Sequence, residues 1–341
     1  MTHLIYTPDA GYDDGGALER EILGGQLDLR VDLWRDPASV DAELLRTADG
    51  LLVWHQVALD AAAIGRLEKC RVIVRAGVGF NNIDVAAAAR RGIPVCNTPD
   101  YGTAEVADHA LALLLALERG LIPFEHAMRA DPAGGFDYRV YEDGRRLAGR
   151  TFAVLGLGRI GTAAALRAKA FGMRVVAFDP YLPRGQEIAL GVERVESLDA
   201  LLARADVLSL HAPLTAETTK IIGAAALGKL KPGATILNTA RGGLIDLEAL
   251  HAAMKSGRVR SAGIDVFPTE PPSPPPALLR AHYAREPWIA GRLVVSPHAA
   301  WSSIESRRDA RTKSAETILA FFLRGELRNC VNAAELAAAK R

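Results

Sequence analysis

Residues 156–161 read Gly156-Leu157-Gly158-Arg159-Ile160-Gly161. The apolar run 152–155 precedes them and predicts a buried strand, and the alanine-rich run 162–171 follows them and predicts a helix. The three glycines permit a tight turn, a close approach of the backbone to a pyrophosphate, and close packing of the helix on the strand. The pattern therefore predicts a strand–turn–helix unit that binds a dinucleotide at the helix N-terminus, with a plain tight turn as the alternative.

An acidic residue, Asp179, ends the next apolar run, 175–178, roughly 20 residues beyond the last glycine. A carboxylate in this place accepts hydrogen bonds from ribose hydroxyls and repels a 2′-phosphate, so it predicts NAD rather than NADP as the cofactor. Arg184, a few residues further on, is the residue that could weaken this preference.

The composition is that of a globular enzyme, with 49% hydrophobic and 24% charged residues. Its 341 residues exceed what one hydrophobic core usually supports, so we expect two domains. The 41 basic side chains balance the 40 acidic ones, which argues against a nucleic acid or an anionic membrane as partner. Three scattered cysteines without CxxC spacing argue against a disulfide framework or a metal site. Free thiols and the lack of a signal-like first segment predict a cytoplasmic protein.

Strand-like and helix-like runs alternate through most of the chain, which predicts an α/β fold with parallel sheets. Residues 104–118 predict a helix, whereas prolines and glycines break up residues 120–150 and predict an irregular arm. The aromatic residues of this arm either contact a partner subunit or pack on their own domain; they are Phe136, Tyr138 and Tyr141. Six prolines within residues 268–276 predict an extended loop.

Three residues that could carry acid–base chemistry follow strand-like runs in the second half of the chain: Arg241, Glu270 and His298. Carboxyl ends of parallel strands are where open α/β sheets bind ligands. Reduction of a 2-oxo acid needs a cation for the carboxylate and carbonyl and a group that delivers a proton. Each residue alone also fits an ordinary solvated loop position, so the prediction rests on their joint occurrence.

The chain resembles the D-isomer-specific 2-hydroxyacid dehydrogenases from about residue 50 to residue 332. The resemblance is carried by Arg75-Ala76-Gly77-Val78-Gly79, by the glycine turn with Asp179, and by the runs 238–250, 263–271 and 297–298. Within the family, the runs 166–172, 179–181, 298–301 and 329–332 look most like the C-terminal-binding-protein branch.

This resemblance implies roles for individual residues. Arg241 would bind the substrate carboxylate and carbonyl, His298 would be the acid/base, and Glu270 would pair with His298 and stabilise its protonated form. Further substrate contacts are expected from Arg75, Gly77, Val78, Gly79, His55 and Trp301; His55 and Trp301 equally fit ordinary structural positions. Beyond residues 156–161 and Asp179, cofactor contacts are expected from Ala212, Pro213, Thr218, Thr239, Ala240, Asp265 and Val106. In the family, a residue with a hydroxyl group is common at the position of Val106, so Val106 departs from the family pattern.

The resemblance also implies two Rossmann-like, doubly wound parallel-sheet domains. A NAD-binding domain of residues 101–299 would be inserted into a flavodoxin-like substrate domain of residues 1–100 and 300–341. The expected protein is a homodimeric NAD-dependent D-2-hydroxyacid dehydrogenase acting on a small 2-oxo or 2-hydroxy acid. Two alternatives stay open: a phosphoglycerate or hydroxypyruvate type of dehydrogenase, and an NAD-sensing, protein-binding regulator like the C-terminal-binding-protein corepressors. The segment 268–292 makes the stretch between Glu270 and His298 longer than expected, and it should bulge outward as a loop.

Overall fold

The computed structural model describes residues 2–339, apart from the side chains at positions 38 and 339. The chain divides into two compact units, Met1–Gly102 with Ser303–Arg341, and Thr103–Ser302. The first unit contributes the strands β1 (His3–Ala10), β2 (Leu27–Leu33), β3 (Gly50–Val53), β4 (Val72–Arg75) and β5 (Val95–Asn97). Its helices before the second unit are α1 (Ala17–Leu23), α2 (Ala42–Thr47), α3 (Ala61–Gly65) and α4 (Val85–Arg90).

The strands of the first unit are all parallel and lie in the order β2-β1-β3-β4-β5, which is the flavodoxin-like order. Three of its helices begin at an aspartate whose carboxylate accepts backbone N–H groups of the first turn: Asp41, Asp60 and Asp84. The edge strand β2 was not predicted: of its seven residues only Leu27 and Leu29 are buried, so no continuous apolar run marks it.

The second unit begins with α5 (Thr103–Glu118) and α6 (Leu121–Ala130). Its strands are β6 (Thr151–Leu155), β7 (Arg174–Phe178), β8 (Glu193–Arg194), β9 (Val207–Leu210), β10 (Ala234–Asn238), β11 (Val259–Ile264) and β12 (Leu293–Val295). Its other helices are α7 (Arg159–Ala170), α8 (Gln186–Leu190), α9 (Leu198–Arg204), α10 (Ala224–Lys229), α11 (Leu247–Lys255) and α12 (Ala277–Tyr283). The chain then returns to the first unit with α13 (Ile304–Arg324) and α14 (Ala333–Ala339).

The seven strands of the second unit are parallel, in the order β12-β11-β10-β9-β6-β7-β8. Counted from β6, this is the Rossmann order with one further strand, and the direction of winding reverses between β6 and β9. Apolar side chains are buried on both faces of the sheet, as a parallel sheet covered by helices requires. The predicted fold class, two doubly wound domains with one inserted into the other, is confirmed.

Two segments differ from the sequence-based prediction. The arm at 120–150 is not irregular throughout, because α6 occupies residues 121–130. The segment 268–292 does not simply bulge outward: after the prolines it forms α12, whose Leu278 and Leu279 are buried in the core of the second unit. The extra length therefore adds a packed helix to the fold. Among the described residues, every helix is too short or too polar to cross a bilayer.

Candidate active site

The glycine turn joins β6 to α7 at the point where the sheet reverses its winding. Gly156 has a φ of 89°, and a Cβ there would lie 2.7 Å from the backbone nitrogen of Ala212. A Cβ on Gly161 would overlap the carbonyl oxygen of Gly156. A Cβ on Gly158, by contrast, would meet nothing within 4 Å. Two glycines thus close the turn tightly, and the third leaves open space at the start of α7, where a phosphate group fits.

Asp179 lies at the end of β7 and contacts this turn directly. Its Oδ2 accepts a hydrogen bond from the backbone N–H of Leu157 at 2.9 Å, and its Oδ1 accepts one from Tyr181 at 3.0 Å. Each carboxylate oxygen keeps capacity for another donor, such as a ribose hydroxyl. Arg184 is exposed and lies 3.5 Å from the carboxylate of Glu196. Arg159 is exposed and Ile160 half-buried in the first turn of α7.

The remaining predicted cofactor residues follow β9 and β10. Ala212 is buried against Gly156, and the hydroxyl of Thr218 donates to the carbonyl oxygen of Pro213 at 2.7 Å, which closes the turn between them. The hydroxyl oxygen of Thr239 is buried and has no hydrogen-bond partner within residues 2–339. A buried hydroxyl without a partner is costly, so it fits a polar group of a bound nucleotide.

His298 and Glu270 form an ion-pair geometry after β12 and β11. The Nδ1 atom of His298 lies 2.6 Å from Oε2 of Glu270, and both side chains are about one-third exposed, at 30% and 32%. The other oxygen of Glu270 accepts the backbone N–H of Phe267 at 2.8 Å. Because Glu270 engages Nδ1, the imidazole presents Nε2 as the ring nitrogen for proton exchange.

Arg241 follows β10 in a turn held by a buried amide. Asn238 donates from Nδ2 to the carbonyl oxygen of Arg241 at 2.9 Å, and its Oδ1 accepts the N–H of Ala240 at 3.1 Å. A Cβ on Gly242 would overlap the backbone of Phe267 and Pro268. The turn that carries Arg241 therefore packs against the segment that leads into Glu270.

Asp265 holds the segment that carries His298. It is fully buried, and its carboxylate accepts hydrogen bonds from the Ser296 hydroxyl at 2.5 Å and from the N–H groups of Ala299 and Ala300 at 2.9 and 3.0 Å. Its carbonyl oxygen accepts the N–H of His298 at 2.8 Å. His298 itself has a left-handed backbone, with a φ of 53°. Asp265 is thus a scaffold for the histidine, whatever contact it makes with a cofactor.

Two further predicted residues of the second unit have less distinctive surroundings. Val106 is buried in the first turns of α5, which is consistent with ordinary core packing. Trp301 is half-buried and follows Ala300, the neighbour that Asp265 holds.

In the first unit, residues 75–79 form a turn after β4. Arg75 is buried and donates from Nη1 to the carbonyl oxygen of Ala76 at 2.9 Å. The carbonyl oxygens of Gly77 and Val78 accept hydrogen bonds from Thr98 and Asn97, at 3.1 and 2.7 Å. Within residues 2–339, the backbone N–H groups of Val78 and Gly79 donate to no protein acceptor. This turn therefore offers two N–H donors in a row, an arrangement that suits an anionic group.

Sequence reasoning missed Asp9, which anchors the segment that carries His55. The Asp9 carboxylate is fully buried at the end of β1 and accepts the backbone N–H groups of Trp54, Gln56 and Val57 at 2.8, 3.1 and 3.0 Å. Burial raises the pKa of Asp9, and these three donors act against that rise. His55 is exposed, with its Nε2 atom 3.1 Å from the Gln56 amide. The signal in the sequence that could have identified Asp9 is an acidic residue at the end of an apolar, strand-like run.

Sequence reasoning also missed His211, which follows β9. Its Nε2 atom lies 2.8 Å from the Ser209 hydroxyl, while its Nδ1 atom is buried. A Cβ on Gly161 would approach the Cβ of His211 to 3.3 Å, so this imidazole packs beside the glycine turn. Burial lowers the pKa of His211 to about 4, which keeps the ring neutral near pH 7.

The chain is similar to known proteins over nearly its whole length. It is 41% identical over 298 residues, 87% of the chain, to a D-3-phosphoglycerate dehydrogenase of Mycobacterium leprae, of which it covers 53%. A relative of the same description from Methanocaldococcus jannaschii is 38% identical over 97% of the chain and is covered to 60%. The chain thus spans little more than half the length of these curated relatives. The crystal structure of a glyoxylate reductase from Paecilomyes thermophila, 30% identical, matches with a TM-score of 0.84 over 97% of this chain and 98% of that one.

Residues 111–300 match the family model of the D-isomer specific 2-hydroxyacid dehydrogenase NAD binding domain. The match contains the glycine turn, Asp179 and the segments that carry Arg241, Glu270 and His298. By fold and by this match, the chain belongs to the D-isomer specific 2-hydroxyacid dehydrogenase family.

Proposed function

We propose that this chain is a NAD-dependent D-2-hydroxyacid dehydrogenase, which interconverts a small 2-hydroxy acid and the corresponding 2-oxo acid. The observation that carries the proposal is the 2.6 Å contact between His298 Nδ1 and the Glu270 carboxylate, next to the turn that bears Arg241. A nicotinamide held at the glycine turn would supply or accept the hydride. The chain supplies the proton, the charge that binds the substrate, and the positioning of both.

His298 exchanges the proton through Nε2. Glu270 is fixed by the Phe267 N–H on one oxygen and holds Nδ1 with the other, so the ring has one orientation and its imidazolium form faces a negative charge. In the reductive direction the imidazolium donates its proton to the developing alkoxide oxygen of the substrate. In the oxidative direction the neutral ring accepts the hydroxyl proton.

Arg241 binds the substrate through its guanidinium, which has the planar donor pair that matches a carboxylate. The N–H groups of Val78 and Gly79, with Arg75 beside them, bind the substrate carboxylate in the same way as other consecutive backbone donors bind anions. Gly77 gives this turn its shape with a φ of 152°. His55 and Trp301 contribute to the shape of the substrate site.

The Thr103–Ser302 unit binds the cofactor through residues 156–161, Asp179, Ala212, Pro213, Thr218, Thr239, Ala240, Asp265 and Val106. We infer a preference for NAD over NADP from Asp179, which places a carboxylate beside the glycine turn. One neighbour of the same fold uses NADPH instead. It is a NADPH-dependent glyoxylate/hydroxypyruvate reductase of Sinorhizobium meliloti, 30% identical with a TM-score of 0.81, whose chain is covered to 98%.

The test is the oxidation of NADH by purified protein with a panel of 2-oxo acids: glyoxylate, hydroxypyruvate, pyruvate and the phosphorylated hydroxypyruvate. We expect turnover with at least one of them. His298→Ala should lower kcat by roughly 10²- to 10⁴-fold, the usual contribution of an acid–base group, while NADH still binds. The exposed histidine of α6 is the control, and His126→Ala should keep full activity.

Failure of every 2-oxo acid to oxidise bound NADH would overturn the proposal and would favour the NAD-sensing regulator of the C-terminal-binding-protein type. Unchanged turnover in His298→Ala would remove that residue from its role. The order of activities in the panel would also decide between the glyoxylate, hydroxypyruvate and phosphoglycerate types of dehydrogenase.

We also infer a cytoplasmic homodimer. All three cysteines are free thiols, which fits a reducing compartment. Phe136 and Tyr138 are 84% and 81% exposed. Large apolar side chains grouped on one exposed segment are typical of a protein interface.

A further inference from the structure

Two cysteines, one from each of the two chain segments that make up the first unit, lie directly across from each other. Cys96 in β5 pairs with Cys330, just before α14, as an isolated antiparallel bridge. On one side Asn97 donates its N–H to the carbonyl oxygen of Asn329 at 3.2 Å, and on the other Val331 donates to Val95 at 2.8 Å. The cysteines are therefore a non-hydrogen-bonded pair, for which the Cα atoms lie about 4.5 Å apart. Disulfides form at Cα separations of about 4.4 to 6.8 Å.

The two thiols differ in their access to solvent. Cys96 is 1% exposed, whereas Cys330 is partly exposed. Burial raises the pKa of the Cys96 thiol to about 12, and the Cys330 thiol is its hydrogen-bonding neighbour. Cys330 is therefore the thiol that a dissolved oxidant reaches first, and Cys96 is placed to react with the product.

The segment around Cys330 is already held in position for a bond to β5. The side chain of Asn332 accepts the N–H of Val95 at 2.9 Å and donates to the carbonyl oxygen of Ile93 at 3.1 Å. Asn332 is fully buried. A bond between the sulfurs thus needs no movement of either backbone segment beyond the side chains themselves.

We propose that Cys96 and Cys330 form a reversible disulfide when a peroxide oxidises the protein. The Cys330 thiolate attacks one oxygen of hydrogen peroxide, the O–O bond breaks, and hydroxide leaves, which gives a sulfenic acid at Cys330. The Cys96 sulfur then attacks the Cys330 sulfur, the S–O bond breaks, and the Cys96 proton leaves with the oxygen as water. Two thiols are oxidised and one peroxide is reduced to two molecules of water once the hydroxide takes up the Cys330 proton.

This disulfide would close a loop that contains the whole Thr103–Ser302 unit, because the chain enters and leaves that unit between Cys96 and Cys330. It would restrict the unfolded chain over a long loop, which is how a disulfide stabilises a fold. It would also tie β5 to the segment around Cys330 at Cys96, which is the chain neighbour of Asn97. The Asn97 side chain donates to the carbonyl oxygen of Val78.

The experiment treats the full-length protein, first reduced, with hydrogen peroxide and then traps remaining thiols with N-ethylmaleimide after unfolding. We expect the number of titratable thiols to fall from three to one, with Cys70 as the survivor because it is buried. Mass spectrometry of a non-reducing digest should show a peptide cross-linked through Cys96 and Cys330. The oxidised protein should have a higher Tm than the reduced protein by several degrees, and dithiothreitol should reverse both changes.

Matched variants separate this pair from other oxidation. Cys330→Ser and Cys96→Ala should each abolish the cross-link, and Cys70→Ala should form it as the wild type does. Three titratable thiols after treatment would overturn the proposal. So would over-oxidation of Cys330 without a cross-link, or a disulfide between two copies of the chain on a non-reducing gel.

Discussion

His211 is a titratable residue next to the glycine turn, and its lowered pKa has a consequence for stability. The unfolded chain takes up a proton at this residue near pH 6.5, but the folded chain does so only near pH 4. His211 therefore leaves the free energy of unfolding unchanged above pH 6.5. As the pH falls from 6.5 to 4, the free energy of unfolding decreases by at most about 3 kcal/mol, because only the unfolded chain takes up the proton. Urea unfolding between pH 7 and pH 4 should show this loss.

The matched variant His211→Asn removes the titration and keeps a polar group for Ser209. We expect its free energy of unfolding to fall less steeply with acid than that of the wild type. His126→Asn, at the exposed histidine of α6, should leave the slope unchanged. Identical slopes in His211→Asn and the wild type would contradict the role of the buried ring.

Asp179 allows a prediction about cofactor choice. Asp179→Asn keeps one oxygen for the Leu157 N–H and removes the negative charge that would face a 2′-phosphate. A hydrogen bond to a charged group contributes about 1.5 to 3 kcal/mol, so kcat/KM for NADH should fall roughly 10- to 100-fold while that for NADPH does not fall. Arg184→Ala is the comparison, and it should sharpen the preference for NADH. Equal losses with both cofactors in Asp179→Asn would show that the residue only shapes the turn.

At the scale of elements, Glu118 at the end of α5 ties this helix to the sheet. Its buried carboxylate contacts Arg150 at 2.9 Å and Arg260 at 2.5 Å, and it accepts the Thr235 hydroxyl at 2.7 Å. Glu118→Ala would leave two guanidinium groups without this anion, so the free energy of unfolding should fall by about 3 to 5 kcal/mol.

The control for this prediction is an exposed ion pair on the neighbouring helix α6. Glu125 pairs with Arg129 there, and Glu125→Ala should cost less than about 1 kcal/mol because water screens the pair. Denaturant titrations of both variants measure the difference. A loss of similar size in the two variants would contradict the special importance of the buried network.

The elements that were predicted correctly are those with a strong local pattern. The helix at α5 and the strand–turn–helix at residues 151–170 lie where the sequence places them, since apolar periodicity and glycine spacing are local signals. The helix α12 was missed because six prolines precede it, and only the burial of Leu278 and Leu279 in the core explains it. The helix α6 was missed because Pro123 and the following glycines read as a break.

At the scale of the whole molecule, the inferred dimer leads to a prediction on the exposed arm. If Phe136 and Tyr138 lie in the interface, the double variant Phe136→Ser with Tyr138→Ser should shift the mass in light scattering from two chains to one. Tyr283→Ser, on the exposed side of α12, should leave the mass unchanged. A wild-type protein that is monomeric at all concentrations would contradict the homodimer.

The sequence by itself determined the fold class, the family and the set of candidate residues. These are carried by short motifs whose spacing has a local physical reason: the glycine turn, the acidic residue after the next strand, and charged residues after later strands. The family and the fold class are confirmed, whereas the resemblance to the C-terminal-binding-protein branch and the individual residue roles stay predictions.

Only the tertiary structure decided which distant residues meet. It placed His298 Nδ1 at 2.6 Å from Glu270, put the Asp9 carboxylate on the segment that bears His55, and paired Cys96 with Cys330. Parallel strands order themselves by long crossover connections, so neighbours in the sheet are not neighbours in the chain. No local pattern records such contacts, because they arise from the packing of whole elements.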